Sequence, residues 1–254
     1  MCLVNFQFKT HPTYPLIVVA NRDEFYERPT ESAHFWTDYP NILAGRDLLQ
    51  MGTWLGVSKA GRFAALTNFR DPQLKPGRLS RGDIVRDFLA GNEEPMEFIA
   101  GLKRKRENYG GYNVVIGDSN HLYHYNNILD EMNEIAPGTH SLSNHTLNTP
   151  WPKVKKGKQK LAEYLLLDKV EVEPLFEILK DENVAQDYEL PETGVALELE
   201  RSLSPMFIKI PNYGTRSSTV LLMDYNQLVT FAERTYSEGE TQSENSFAFK
   251  TSLT

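Results

Sequence analysis

Strand-like and helix-like segments follow one another along this chain in separate blocks, and this order constrains the fold more than any single motif. Alternating or continuous apolar runs predict three groups of strands: 2–9, 16–20, 53–58 and 62–68, then 112–117, 121–125 and 139–144, then 216–223, 227–234 and 246–252. Apolar residues at helical spacing predict two pairs of helices between them: 82–89 and 94–106, then 157–167 and 172–180. Blocks of this kind favour a layered α+β sandwich over alternating β-α-β units.

Two further segments complete the predicted organisation. Residues 2–9 place Cys2, Val4, Phe6 and Phe8 on one side of a strand, which predicts a half-buried strand at the start of the chain. The acidic segment 181–203 has weak periodicity and is interpreted as a surface excursion. Since neither a repeat nor a linker divides the sequence, we expect a single domain covering residues 1–254.

Composition excludes several classes of function. The chain of 254 residues has one cysteine, so an intramolecular disulfide and a multi-cysteine zinc site are both excluded. A net charge of −7 argues against sequence-independent binding to nucleic acid. No apolar run reaches the roughly 20 residues that span a bilayer, and polar residues interrupt the N-terminal segment where a signal peptide would need an apolar core. We therefore expect a cytoplasmic protein with no membrane span, no metal and no cofactor, since nucleotide-binding glycine motifs are also absent.

Cys2 is the strongest candidate for chemistry because of its position. Removal of the initiator methionine would make it the N-terminal residue, which carries a thiol nucleophile and an α-amine base together. With a reference pKa of roughly 7.7–8.0, that amine can accept the thiol proton near neutrality. The alternative interpretation is a small buried residue on the apolar face of a strand, since free cysteine is among the most buried residue types.

Four consecutive polar residues, Asn21 to Glu24, follow the second predicted strand. A functional interpretation places Arg22 beside the Cys2 thiolate, where its charge would lower the thiol pKa, and uses a carboxylate to orient the α-amine. The alternative is a solvated strand end, which is common for charged runs.

Three more polar residues lie in or beside apolar strands. Asn68 and Asn144 carry amides that can donate to a developing oxyanion, so we expect both to converge on Cys2. Arg216 opens a late strand, and we expect it to be mostly buried with its guanidinium on Asp23, Glu24 or a bound anion. Each of the three has an ordinary structural alternative, a strand-end hydrogen bond for the amides and a surface ion pair for Arg216. His121 and His124 make a poor metal pair, because residues three apart on a strand face opposite sides.

A series of ordered motifs resembles one known family. The chain contains A-N-R-D-E-F-Y-x-R-P-T at 20–30, F-W at 35–36, N-I-L-A-G-R-D at 41–47, G-T-W-L-G at 52–56, A-A-L-T-N at 64–68, L-S-N at 142–144, T-P-W at 149–151 and Y-G-T-R at 213–216. Together with the opening Met-Cys, these motifs resemble the NRDE family, also called the transport-and-Golgi-organisation family. That family is in turn similar to N-terminal-nucleophile hydrolases of the choloylglycine hydrolase and penicillin V acylase type.

The resemblance implies a four-layer αββα sandwich with Cys2 as nucleophile, Asn68 and Asn144 as oxyanion donors and Arg216 as a late supporting arginine. Those hydrolases space the second-strand Arg and Asp three residues apart, whereas Arg22 and Asp23 are adjacent here. Arg22 with Asp23 is the preferred pair. Arg22 with Glu24 and Asn21 with Glu24 remain open, and the residues left out of the catalytic pair, Asn21 and Glu24, are expected to bind substrate.

Two functions follow from this resemblance. The first is hydrolysis of a non-peptide amide or thioester through an acyl-Cys2 intermediate. The second is a binding or trafficking protein that keeps the fold and its pocket and carries haem, a lipid or an acyl-CoA without turnover. Both imply a small-molecule ligand that is acyl, lipid or haem-like.

Overall fold

The structure is a computed structural model, and it describes residues 2–167 and 169–252. Within these ranges, fourteen strands form two seven-stranded antiparallel sheets. Five α-helices and two short 3₁₀ helices accompany the sheets.

The first sheet joins the two ends of the described chain. Its spatial order is β10 (Gly138–Leu142), β1 (Cys2–Phe8), β2 (Leu16–Phe25), β12 (Tyr213–Met223), β13 (Leu228–Ser237) and β14 (Glu240–Lys250), with β11 (Lys209–Ile210) paired to β12. A tight turn connects β12 to β13, where the Leu228 amide donates to Asp224 Oδ1 at 2.8 Å. Because β1 lies between β2 and β10, the first residues of the chain occupy the interior of a sheet.

The second sheet follows chain order and is a meander. It consists of β3 (Thr30–Phe35), β4 (Ile42–Asp47), β5 (Leu55–Ser58), β6 (Phe63–Asn68), β7 (Tyr112–Gly117), β8 (Leu122–Asn126) and β9 (Glu131–Glu134). The apolar pattern predicts β5 to β8, but β3, β4 and β9 are not predicted. Their sequences, T-E-S-A-H-F, I-L-A-G-R-D and E-M-N-E, carry too few apolar residues for a strand signal.

The helices cover the outer faces of the two sheets. They are α1 (Arg81–Ala90), α2 (Pro95–Arg104), α3 (Pro152–Tyr164), α4 (Val172–Leu179) and α5 (Leu197–Ser202), and the 3₁₀ helices are Arg106–Asn108 and Asp187–Glu189. Helices α1 and α2 pack on the second sheet: α1 buries Ile84, Val85, Phe88 and Leu89, and α2 buries Ile99 and Leu102. Helices α3 and α4 pack on the first sheet through Leu161, Leu175 and Phe176. The four layers therefore run helix, sheet, sheet, helix, which confirms the αββα sandwich.

The main core lies between the two sheets. Phe6, Val18, Phe63 and Phe231 are all buried there, together with aliphatic residues from both sheets. A central sheet in such a sandwich has a second apolar face toward the helices, so every residue of β1 is buried. The prediction that this strand is half-buried is therefore wrong, because α3 covers the side that the alternating pattern assigned to solvent.

The segment 181–203 is also more integrated than its composition indicates. It contains α5, and two of its acidic side chains are buried: Asp181 is 9% exposed and Glu200 is 3% exposed. The interpretation of these two residues as part of a surface excursion is wrong, because each carboxylate forms ion pairs with arginine or lysine side chains from other segments of the chain. Among the described helices, none is long and apolar enough to cross a membrane.

Candidate active site

A cleft of about 1100 Å³ opens at the end of the sandwich where β1 begins and β2 and β6 end. We call it the Cys2 cleft. Seven of the eight residues that the sequence proposes for the site line it: Cys2, Arg22, Asp23, Glu24, Asn68, Asn144 and Arg216. Residues far apart in the chain therefore meet here because the two sheets bring their strand ends together.

Cys2 is fixed by backbone pairing at the first position of β1. It lies directly opposite Arg22 on β2, so the two side chains share one face of the sheet. Ser143 Oγ donates to the Cys2 carbonyl oxygen at 3.0 Å, which secures the other side of the residue. Only 9% of Cys2 is exposed.

Burial raises the pKa of the Cys2 thiol, and the charge of Arg22 opposes that rise without cancelling it. This is the opposite of the lowered pKa expected from the sequence. The described surroundings of Cys2 therefore favour its thiol form over the thiolate.

The Arg22 guanidinium is held by two carboxylates. Its Nη2 lies 3.5 Å from Asp47 Oδ2 and 3.8 Å from Glu24 Oε2. Arg28 binds the same Asp47 carboxylate, so two arginines share one half-buried acid. Asp47, which the sequence analysis did not single out, ends β4 within the N-I-L-A-G-R-D motif, and that motif was the signal that could have identified it.

The structure separates the two candidate carboxylates of β2 by environment. Asp23 is 1% exposed, and Thr215 Oγ1 donates to its Oδ1 at 2.8 Å. Burial raises the pKa of Asp23, while the nearby Lys153 ammonium opposes the rise. Glu24 is half-buried, faces Arg22 and Arg28 at 3.8 Å, and accepts from the Phe25 amide at 2.9 Å. Asp23 is the carboxylate enclosed in the interior, and Glu24 belongs to the charged lining.

Lys153 is a buried cation that the sequence analysis missed. It is 3% exposed on the inner face of α3, and among the described residues its Nζ has no hydrogen-bond partner. Burial lowers the pKa of Lys153 to about 8, and the Asp23 carboxylate is the largest influence in the other direction. Sequence reasoning began this helix at Gly157; starting it at Pro152 puts Lys153, Gly157 and Leu161 on one face, which was the available signal.

The two candidate oxyanion donors contact each other. Asn144 is fully buried, and its Nδ2 donates to the Asn68 carbonyl oxygen at 2.9 Å. Ser143 Oγ lies 3.0 Å from the Cys2 carbonyl oxygen and 3.1 Å from Asn144 Oδ1, so the two acceptors share its single hydroxyl proton. These contacts place Cys2, Asn144 and the backbone of Asn68 close together at one end of the sandwich.

Arg216 does not make the expected contact with a carboxylate. It is the extra residue of a β-bulge between Thr215 and Ser217, which redirects its side chain. Its Nη1 donates to the carbonyl oxygens of Phe25, Tyr26 and Arg28 at 2.8–3.1 Å. Arg216 is half-buried and fastens the segment that follows β2, so its position is that of a structural support at the edge of the cleft.

Asn21 lies on the opposite face of β2 and does not line the cleft. Its Nδ2 donates to the carbonyl oxygens of Leu179 and Met206 at 3.0 and 2.9 Å, and Ser218 Oγ donates to its Oδ1 at 2.6 Å. All these partners lie toward the α3–α4 layer. The expectation that Asn21 binds substrate is not met, because strand alternation turns it away from Arg22.

Glu233 is a second buried acid that the sequence analysis missed. It lines the cleft, is 3% exposed, and accepts from the Ala33 amide at 2.6 Å across the two sheets. Burial raises the pKa of Glu233 to about 7. In the sequence, Glu233 lies two residues after Phe231 and four after Val229, so on β13 it shares their core-facing side. This spacing could have identified it as buried. No group of three His, Cys, Asp or Glu side chains in the described part of the chain is arranged to hold a metal ion.

Comparison with known proteins identifies the family. The family model for "Transport and Golgi organisation 2" matches residues 1–238. This chain belongs to the Transport and Golgi organisation 2 family. The Transport and Golgi organization protein 2 homologs of Bos taurus and Homo sapiens are each 34% identical to it, and each alignment covers 92% of both chains. The NRDE family named from the motifs is this same family, so the resemblance is confirmed.

Among solved structures, the fold is similar to that of N-terminal-nucleophile hydrolases. A variant of the conjugated bile acid hydrolase from Clostridium perfringens superposes with a TM-score of 0.53 at 9% identity, covering 100% of this chain and 98% of that one. Identity this low shows a shared fold alone. It agrees with the αββα layers described above.

Proposed function

We propose that this protein is a cysteine N-terminal-nucleophile hydrolase that cleaves a non-peptide amide or thioester through an acyl-Cys2 intermediate. The observation that carries the proposal is the meeting of Cys2, Arg22, Asp23, Asn68 and Asn144 around one cleft. Nucleophile, electrostatic support and oxyanion donors are the components that acyl transfer needs. Met1, whose removal this chemistry requires, lies outside the described residues.

The α-amine of residue 2 supplies the base in this proposal. It takes the thiol proton as Sγ forms a bond to the substrate carbonyl carbon, and the carbonyl electron pair moves onto oxygen. In this proposal the amides of Asn68 and Asn144 donate to that oxyanion. The amine then returns the proton to the leaving nitrogen or sulfur as its bond to carbon breaks, and water hydrolyses the acyl-Cys2 thioester to free the thiol.

The buried charges have a defined part in this chemistry. Burial of Cys2 raises its pKa, so the thiolate forms only as the base accepts the proton. Lys153 favours the ionised form of Asp23 inside the protein, and an ionised Asp23 can hold an ammonium group at the adjacent strand end. Arg22, directly across from Cys2, stabilises the developing thiolate.

Acylation of Cys2 tests the proposal directly. The chain lacking Met1 is incubated with a p-nitrophenyl ester of a short fatty acid, and intact mass and nitrophenol release are followed together. We expect one acyl group on Cys2, formed in a burst and then lost by hydrolysis, and none on the Cys2→Ala variant or on a chain that keeps Met1. Absence of an acyl adduct from the folded chain lacking Met1 would exclude the hydrolase.

Asn68→Ala separates oxyanion support from general damage. Asn68 lines the cleft, and loss of one oxyanion donor lowers the acylation rate by roughly 10²–10³-fold. Asn133→Ala on the exposed strand β9 is the matched control and should leave the rate unchanged. Equal rates for the two variants would remove Asn68 from the proposed mechanism.

A non-catalytic carrier is the second candidate. The names of the curated relatives, which refer to transport and Golgi organisation, favour it. It predicts that the cleft binds haem, a lipid or an acyl-CoA with the same affinity whether residue 2 is Cys or Ala, and that no acyl-Cys2 forms. The acylation experiment therefore distinguishes the two functions.

A further inference from the structure

Arg81 is a positively charged residue of the Cys2 cleft that belongs to none of the sequence motifs and has no role in the proposed chemistry. It is the first residue of α1, lines the cleft and is half-buried. A guanidinium carries five N–H donors. In the described part of the chain, one of them, on Nη1, donates to a protein acceptor, the Gly111 carbonyl oxygen at 3.0 Å.

Apart from the solvent-exposed Arg78, the other arginines of the cleft have acceptors within the protein. Arg22 and Arg28 face Asp47, Arg46 is paired with Asp38, and Arg70 is paired with Glu200. Arg216 directs its Nη1 to three carbonyl oxygens. Among the described residues, no carboxylate lies within 4.0 Å of the Arg81 guanidinium. Burial lowers the pKa of Arg81, which is the expected effect on a partly desolvated cation.

The position of Arg81 relates it to the reacting groups. The Gly111 carbonyl that accepts from Arg81 also accepts from the Phe69 amide at 2.9 Å. Phe69 directly follows Asn68, so the guanidinium lies beside the candidate oxyanion donor. Charges on Cys2 and Glu24 are near enough to act on the pKa of Arg81.

We propose that Arg81 forms an anion-binding subsite next to Cys2, and that the substrate carries a carboxylate, sulfonate or phosphate group a few bonds from the carbonyl that Cys2 attacks. The planar fork of an arginine binds such groups through two parallel hydrogen bonds. The identity of the substrate rests on the proposed function, but the anion subsite does not.

Two alkylating reagents of nearly equal size test the subsite without needing turnover. Iodoacetate is an anion and iodoacetamide is neutral; in both, the Cys2 thiolate forms an S–C bond while the C–I bond breaks and iodide leaves. Cys2 is the only cysteine, so intact mass reports its reaction alone. The measured quantity is the iodoacetate-to-iodoacetamide rate ratio, divided by the same ratio for N-acetylcysteinamide.

We expect this normalised ratio to be about five at low salt. That value corresponds to the attraction of about 1 kcal/mol between two opposite unit charges about 4 Å apart in water. Added salt should reduce it. Arg81→Gln should bring the ratio close to one, and Arg81→Lys should keep part of the increase. Arg86→Gln is the matched control on the same helix: Arg86 pairs with Asp83 and Asp87, does not line the cleft, and should leave the ratio unchanged.

A ratio of one in the unmodified protein, or a raised ratio that Arg81→Gln leaves intact, overturns the proposal. Binding of inorganic phosphate gives a second measurement, which does not depend on access to the thiol. At tenfold its Kd and matched ionic strength, phosphate should raise the Tm of the unmodified chain and of Arg86→Gln by about 3 °C. An equal rise in Arg81→Gln also overturns it. Failure of the hydrolase proposal is distinct, because it shows as a missing acyl-Cys2 adduct.

Discussion

The ion pair between Arg70 and Glu200 gives a sharp prediction about stability. Arg70 Nη1 lies 2.6 Å from Glu200 Oε2, and the two side chains are only 9% and 4% exposed. Thr193 Oγ1 also donates to the same carboxylate. Glu200→Gln keeps the shape of the side chain but removes the negative charge that lies against the largely buried Arg70 guanidinium.

Breaking a buried pair from one side costs about 3–5 kcal/mol of unfolding free energy, mostly the penalty of the unpaired charge. For a chain of this length, 1 kcal/mol corresponds to roughly 2–4 °C in Tm, so we expect Glu200→Gln to lower Tm by roughly 10 °C. Replacing both residues by methionine should restore much of the loss, because apolar side chains of similar volume remove both charges from the interior.

Glu198→Gln is the matched control on the same helix. Its carboxylate is 84% exposed and pairs with Arg201 at 2.6 Å, so its loss should cost less than about 1 kcal/mol. Urea unfolding followed by circular dichroism measures both variants at pH 7. The reasoning is refuted when Glu200→Gln and Glu198→Gln agree within 1 kcal/mol.

Three further predictions concern buried polar groups and helix packing. Burial raises the pKa of Glu233 from 4.5 in the unfolded chain to about 7 in the folded protein. Folding therefore takes up a proton between pH 4.5 and 7, and the free energy of unfolding falls as the pH rises through that range. Glu233→Gln should therefore gain stability over the unmodified protein across pH 4.5–7, by up to about 3 kcal/mol in urea unfolding, and a constant difference would contradict this. Asn21→Leu removes the donor to the carbonyl oxygens of Leu179 and Met206 and should lower the free energy of unfolding by roughly 2–4 kcal/mol. The rate of Cys2 alkylation by iodoacetamide should stay unchanged, and a slower rate would show that Asn21 contributes to the site. Gly157→Ala places a methyl in steric conflict with Asn5 Oδ1 and should destabilise by about 1–3 kcal/mol in thermal unfolding. Gly101→Ala, whose nearest neighbour is at 3.8 Å, should instead stabilise by up to about 1 kcal/mol.

Local patterns in the sequence predict much of this fold. Alternating apolar residues identify β1, and helical spacing identifies the buried face of α1. The order of blocks gives the layered class, and the motif resemblance supplies the αββα arrangement. Strands β3 and β9 were missed because their pairing is fixed by neighbouring strands, whereas their own residues give little signal.

The site could be predicted where position along a strand decides it. Cys2 lies at the start of a predicted strand, and Arg22 and Asp23 lie at the end of the next one. Asn68 and Asn144 lie at the ends of two other predicted strands. Long-range partners have no such signal: the sequence around Glu200 does not reveal Arg70, 130 residues away. The bulge at Arg216 likewise depends on the pairing of β2 with β12, so its contacts could not be read from the late strand alone.

The placement of β12 between β2 and β13 has a consequence for synthesis of the chain. Asp23 and its hydrogen-bond partner Thr215 are 192 residues apart, which a ribosome covers in roughly 10–40 s. During that interval one edge of β2 has no strand beside it, and unpaired edges associate readily with other chains. Asp23 is thus synthesised well before Thr215, so the emerging chain has to be kept from pairing through β2 until β12 arrives.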